Sequence, residues 1–260
     1  MRALLASPLG FLIGLSLAAL GGGGSILAVP ALVYAAGQSP KQATSTSLVL
    51  VAMTAVVGII PQWRAGRVRV AAGATFGLTG VGGSLLGSHW NKAADPNVLL
   101  LAFSGLMMLA AYGMWRGVRK PKTVPAPQPV TSMTMTIVKV VVAGTAVGLL
   151  TGLFGVGGGF VIVPALVLAL GFAMPEAIGT SLLVITINSL IALTTRLPAG
   201  NIEWSTVIPF AGTSLVGIYV GHRLATSRDS SSLQRWFVGL LVVVAIYTAV
   251  HSGVALQRAD

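Results

Sequence analysis

Two glycine runs interrupt segments that would otherwise be helical: Gly21–Gly24, followed by Ser25, and Gly155-Val156-Gly157-Gly158-Gly159. Each run has a proline behind it, Pro30 or Pro164. Glycine costs about 1 kcal/mol relative to alanine inside a helix, so these runs favour unwound backbone. Unwound backbone presents N–H groups. With the positive end of the helix that follows, they form a site for an anion. Behind each run comes a hydroxyl pair, Thr46-Ser47 or Thr180-Ser181, and Asn188 lies farther along. Hydroxyls and an amide can donate to an anion, but they also bond back to their own helix or across to a neighbour. The candidate substrate-binding residues are therefore Gly22, Gly23, Gly24, Ser25, Thr46, Ser47, Gly157, Gly158, Gly159, Thr180, Ser181 and Asn188.

Charge is scarce around these residues. The acids Asp95, Glu176, Glu203, Asp229 and Asp260 all fall at the ends of apolar runs or between them. A carrier of Na⁺ or of a metal cation places a carboxylate inside a span, so the pattern favours an anion or a neutral substrate. Gln62, Arg64 and Arg196 stand at span ends, as snorkelling boundary residues or as a gate that attracts an anion. Glu176, His89 and His222 are the candidates for coupling a proton, and an interfacial position is the ordinary reading of each. There is no cysteine, and no metal site or cofactor is expected. Spacing reveals no nucleophile beside a base and no paired carboxylates, so an intramembrane enzyme is not expected. The string GVGGG follows no strand and has no acid about 20 positions on, which sets aside a dinucleotide fingerprint.

The elements that must hold these residues follow from composition. The chain has 260 residues, 55% hydrophobic and only 8% charged. Soluble domains carry about 25% charged residues, so this is an all-α polytopic membrane protein. Its apolar runs are Pro8–Gly37, Ala43–Pro61, Val70–Ser88, Val98–Trp115, Ile137–Gly171, Ile178–Thr195, Val207–Gly221 and Phe237–Val250. They give about 8 transmembrane segments. The runs do not alternate as barrel strands would, which points to the inner (plasma) membrane of a bacterium. The start, Arg2 and an apolar run, reads as a retained first span. Lys120–Thr131 is proline-rich and reads as a cytoplasmic linker, placed at 120–135 between a first repeat, 1–119, and a second, 136–260. The 16 Lys/Arg fall in short stretches between runs, as in cytoplasmic loops, rather than on a nucleic-acid-binding face. The expected partners are a small anion and the lipid bilayer, with a homo-oligomer left open.

The two repeats are visible as a duplication at a shift of 134. Gly14 falls on Gly148, Gly21 on Gly155, Pro30-Ala31-Leu32-Val33 on Pro164-Ala165-Leu166-Val167, Thr46-Ser47 on Thr180-Ser181, and Gly83 and Gly87 on Gly217 and Gly221. Isolated pairs such as Gly83/Gly87 read as close helix packing. Duplication of this kind is usual in secondary transporters, whose site lies between the halves. If each glycine-interrupted first segment crosses once, the halves are parallel. If it is a hairpin, they are inverted. Both arrangements put eleven Lys/Arg on one side and five on the other, so charge leaves the choice open.

Three motifs carry a resemblance to the sulfite exporter TauE/SafE family. They are Gly155-x-Gly157-Gly158-Gly159-x-x-x-x-Pro164, Ala177-x-Gly179-Thr180-Ser181 and Gly200-x-Ile202-x-Trp204. The first half repeats them more loosely, with Ser25 for the last glycine, Ser45 before Thr46-Ser47, and Val70 where the second half has Trp204. The resemblance implies transport of sulfur-containing anions such as sulfite or organosulfonates, and export as its direction. An anion channel and a non-transporting assembly subunit are the other readings.

Overall fold

The structure is a computed structural model that describes residues 7–22, 24–25, 28, 32, 37–38, 40–91, 96–119, 133–154, 159–196, 204–227 and 229–257. Gly23, Gly157, Gly158 and most of the linker lie outside the described residues. The described helices are α1 (Ser7–Leu20), α2 (Pro40–Arg64), α3 (Val70–Asn91), α4 (Pro96–Arg119), α5 (Met133–Phe154), α6 (Gly159–Leu168), α7 (Met174–Arg196), α8 (Trp204–Thr226) and α9 (Ser230–Gln257). Among the described residues there is no strand. Among the described residues four stretches are long and apolar enough to cross a membrane: Thr46–Arg64, Val70–Trp90, Met174–Thr194 and Ser230–Val250. A helix satisfies its own N–H and C=O groups, which apolar surroundings require.

Glycine decides how the helices pack. Gly10 and Gly14 of α1 lie against Phe210 and Ser214 of α8, and Gly217 and Gly221 of α8 lie against Phe11 and Leu15 of α1. At each position a Cβ would meet a backbone carbonyl of the partner helix. The Ser214 hydroxyl donates to the Gly10 carbonyl at 2.8 Å across the seam. The same contacts recur 134 positions away. Gly144 and Gly148 of α5 lie against Phe76 and Gly80 of α3, and Gly83 and Gly87 of α3 lie against Thr145 and Leu149 of α5. The pair Gly83/Gly87 thus acts as packing glycine, as expected. Numbers rise together in both seams, so α1 runs parallel to α8 and α5 parallel to α3.

The contacts of α7 fix the relative direction of the halves. Going along α3, Gly73 faces Thr180 and Leu183, Gly77 faces Ile187 and Gly80 faces Asn188, so α3 and α7 are parallel. Going along α2, Gly58 faces Leu182 and Gln62 faces Gly179, so α2 and α7 are antiparallel. Yet α2 and α7 are counterparts at the shift of 134. The two halves are therefore inverted, which charge alone had left open.

Each first segment is correspondingly a hairpin. After α1 the chain doubles back, and Gly24 lies against Ile13 and Leu17 of α1. In the second half α6 returns the chain to the end from which α5 set out. It runs parallel to α4: Phe160 meets Phe103 edge-on at 4.9 Å, and Leu168 meets Gly113. Both returning arms stop at a glycine of left-handed conformation, Gly37 and Gly171, each with φ 70°. Gln38 N–H donates to the Leu32 carbonyl at 3.1 Å, and Phe172 N–H to the Leu166 carbonyl at 3.0 Å. These are matching C-caps that glycine adopts at little cost.

The bundle has two unlike ends. Arg64, Arg67, Arg69, Arg116, Arg223 and Arg235 gather at one, with exposed Trp63, Trp115, Trp236 and Tyr219 close by. Arg116 and Arg223 stack over Tyr112 and Tyr219 at 5.3 and 5.1 Å. Gln234 at the start of α9 donates to the Met114 carbonyl near the end of α4, at 2.8 Å, tying those helices together there. Exposed Trp90, Trp204 and Tyr247 mark the opposite end. Two aromatic girdles of this kind are what membrane interfaces select.

Candidate functional site

The two glycine breaks meet inside the bundle. Gly21 leaves α1 with φ 72°, and the chain turns at Gly22. The Ser25 N–H and hydroxyl both donate to the Gly22 carbonyl, at 3.2 and 2.7 Å. Ser25 therefore closes the turn with its own donors. Gly22 abuts the carbonyl of Gly159 and the backbone nitrogen of Phe160, while Gly159 abuts the Ser25 hydroxyl and Ile185. Ile185 is at mid-length of α7, so the contact lies deep in the bundle. Gly21 itself rests on Ser181, Val163 and Ile178.

Of the hydroxyl pairs, Ser181 lies against Gly21, and the partners of the four side chains differ. Thr46, Ser47, Thr180 and Ser181 are all buried. Ser181 bonds back to the Ile178 carbonyl at 2.8 Å. Thr180 accepts the backbone N–H of Arg69 at 3.1 Å. Thr46 Oγ1 has no hydrogen-bond partner. Asn188 Oδ1 is likewise buried without a partner, beside the seam of α3 and α5, whereas its counterpart Thr54 bonds back to Leu50 and Val51. A buried polar atom left unpaired costs about 1–3 kcal/mol, so such atoms mark places where water or a ligand completes the bonding.

The arginine-rich end closes over the second hydroxyl pair. The Arg69 guanidinium pairs with Glu176 at 2.6 Å. The Arg67 carbonyl lies over Gly179, where a Cβ would stand 2.8 Å from it. Gln62 is buried here with Oε1 unpartnered, and Arg64 is exposed. His222 is near enough to Arg67 to feel its charge, and its Nδ1 is buried without a partner. His89 is exposed at the opposite end, where Arg196 ends α7. The structure thus brings Gln62, Glu176, Thr180 and His222 to one end and leaves His89 away from them. Sequence reasoning picked Arg64 and passed over Arg67 and Arg69. The Arg69–Glu176 pair spans 107 positions, and nothing local in the sequence announces it. Among the described residues no group of His, Cys, Asp and Glu is placed to hold a metal ion.

The chain matches the family described as sulfite exporter TauE/SafE over residues 6–248. A probable membrane transporter protein of Xylella fastidiosa (strain 9a5c) is 35% identical over 254 residues, 95% of each chain. The probable membrane transporter protein YunE of Bacillus subtilis (strain 168) is 25% identical over 262 residues, 94% of this chain and 92% of that one. The probable membrane transporter protein MJ0441 of Methanocaldococcus jannaschii is 37% identical over 115 residues, 42% of this chain and 43% of that one. No solved structure gives a significant match. A family match over nearly the whole length, on a bundle of apolar helices girdled by aromatic residues, leads to one conclusion: the chain belongs to the sulfite exporter TauE/SafE family and is a multi-pass membrane transporter.

Proposed function

We propose that this transporter is a secondary carrier that exports small sulfur-containing anions such as sulfite or organosulfonates, binding them where the two glycine breaks meet. The observation that carries the reading is the contact of Gly22 with Gly159 between hairpins of opposite direction. A site shared by two inverted halves reaches either side when one half rocks against the other. The halves on this reading are 1–119 and 136–260, joined by the linker 120–135. The side-chain polar groups against the breaks are the neutral hydroxyls of Ser25 and Ser181, and the Glu176 carboxylate is taken by Arg69. Thr46, buried and unpartnered, is a donor that an anion would engage. The arginine-rich end is the cytoplasmic face under the positive-inside rule, which suits the inner membrane of a bacterium.

Flux into proteoliposomes tests this, with sulfite, sulfoacetate, sulfate and chloride each measured with and without a pH gradient. Saturable flux of sulfite or sulfoacetate that follows the gradient is the expected result. Unsaturable flux indifferent to the gradient would make the protein an anion channel. No flux of any anion by the purified protein would sink the carrier and leave an assembly subunit.

A further inference from the structure

The loop between α2 and α3 is fastened over the arginine-rich end of the bundle. At the arginine-rich end α2 and α7 touch, Gly58 on Leu182 and Gln62 on Gly179. Farther along, the two helices flank an open apolar groove of about 340 Å³ lined by Val49, Met53, Val56, Val57, Leu190 and Leu193 among others, with Met53, Val56, Val57 and Leu190 exposed. The loop from α2 to α3, Ala65 to Arg69, crosses the arginine-rich end. It is fastened to α7 at three points: the Arg69 N–H on Thr180, the Arg69 guanidinium on Glu176, and the Arg67 carbonyl on Gly179.

We infer that this loop is the gate of the arginine-rich end and that Thr180 and Glu176 are its latch, Thr180 acting as a positioning residue through Arg69 rather than as a ligand of the anion. The inference rests on the carrier reading above, because a gate has meaning only on a route across the membrane. The argument is one of asymmetry. Thr46 and Thr180 are counterparts at the shift of 134, and both are fully buried. Thr180 holds a loop N–H at 3.1 Å, whereas Thr46 holds nothing. Two equivalent hydroxyls, one engaged by a loop N–H and one not, are what a latch at the arginine-rich end shows while it is shut. The latch is also suited to release. The ion pair is 60% exposed on its arginine side and 28% on its glutamate side, so water screens it. The loop carries Gly66 in the left-handed conformation, φ 67°, with open space around it.

The chain has no cysteine, so one introduced thiol can be followed without background. Ser181→Cys puts the reporter beneath the latch, against Gly21. Its labelling by a membrane-impermeant maleimide is measured from the arginine-rich side. Adding Glu176→Gln and Thr180→Val should raise the labelling rate about five- to tenfold, the ratio that one lost hydrogen bond and a weak ion pair carry. Thr180→Ser keeps the acceptor and should leave the rate at that of the reporter alone. Equal rates in all these variants overturn the gate. Should Ser181→Cys fail to insert, Gln62→Cys, also buried under the loop, gives the same readout. Labelling needs no transported anion. Flux of sulfite with unchanged labelling therefore sinks the gate and keeps the carrier, while raised labelling without flux of any anion does the reverse.

Discussion

Gly22→Ala is expected to cut anion flux in proteoliposomes by roughly 10- to 100-fold while the protein still inserts and purifies in normal yield. The added methyl would fall on the Gly159 carbonyl. Both groups are attached to backbone, so no rotamer change relieves the collision. One hairpin must move off the other, and the meeting of the breaks is lost. Inserting a methyl into a filled contact costs about 1–3 kcal/mol, and a clash against backbone belongs at the upper end. A proper control is Gly212→Ala, because a Cβ at Gly212 meets nothing within 4 Å. That variant should keep the flux of the wild type. Flux within twofold of the wild type for Gly22→Ala would mean that the close contact is not needed for transport.

The largest effect on stability is expected at the seams. Gly148→Val places its Cβ against the Gly80 carbonyl, and Gly14→Val places its own against the Ser214 carbonyl. Both helices of each seam are rigid and neither can shift alone, because contacts above and below repeat the same fit. A cost of about 3–4 kcal/mol corresponds to a fall of roughly 10 °C in the unfolding midpoint for a chain of this size. Thermal unfolding in detergent, followed by tryptophan fluorescence, measures it. The two variants should fall by similar amounts, since they occupy the same place in the two halves. A shift below about 2 °C for either would show that the seam tolerates a side chain there, contrary to what over-packing normally costs.

Much of this architecture is legible in the sequence because the bilayer and the duplication constrain it. The shortage of charge leaves only a membrane bundle, and the pair Gly83/Gly87 reads as packing glycine from its spacing. The direction of the halves was not legible. It depends on which of two equal charge tallies applies, and only the contacts of Gly58 with Leu182 and Gly77 with Ile187 decide it. Thr46 emerges buried and unpartnered, and Asn188 half-buried with its Oδ1 unpartnered. Ser25 and Ser181 emerge with their hydroxyls bonded to local carbonyls. Thr180 was singled out by its place in a motif, but its partner is a backbone N–H from 111 positions away. A backbone donor leaves no trace in residue identity. The role of Arg69 was hidden for the same reason, since an arginine at the end of a span has a sufficient explanation in snorkelling.

The crossed packing of the first helix bears on how the protein is made. α1 leaves the ribosome well before α8, the helix it fits. At about 5–20 residues per second, α1 waits roughly 10–40 s in the membrane with its glycine face unmatched. The second seam has no such delay, because α3 is already present when α5 emerges. The α3–α5 seam can therefore form before the α1–α8 seam. A chain truncated before Trp204 would keep the α3–α5 seam and lose the α1–α8 seam, leaving the quality-control machinery a bundle with one open face.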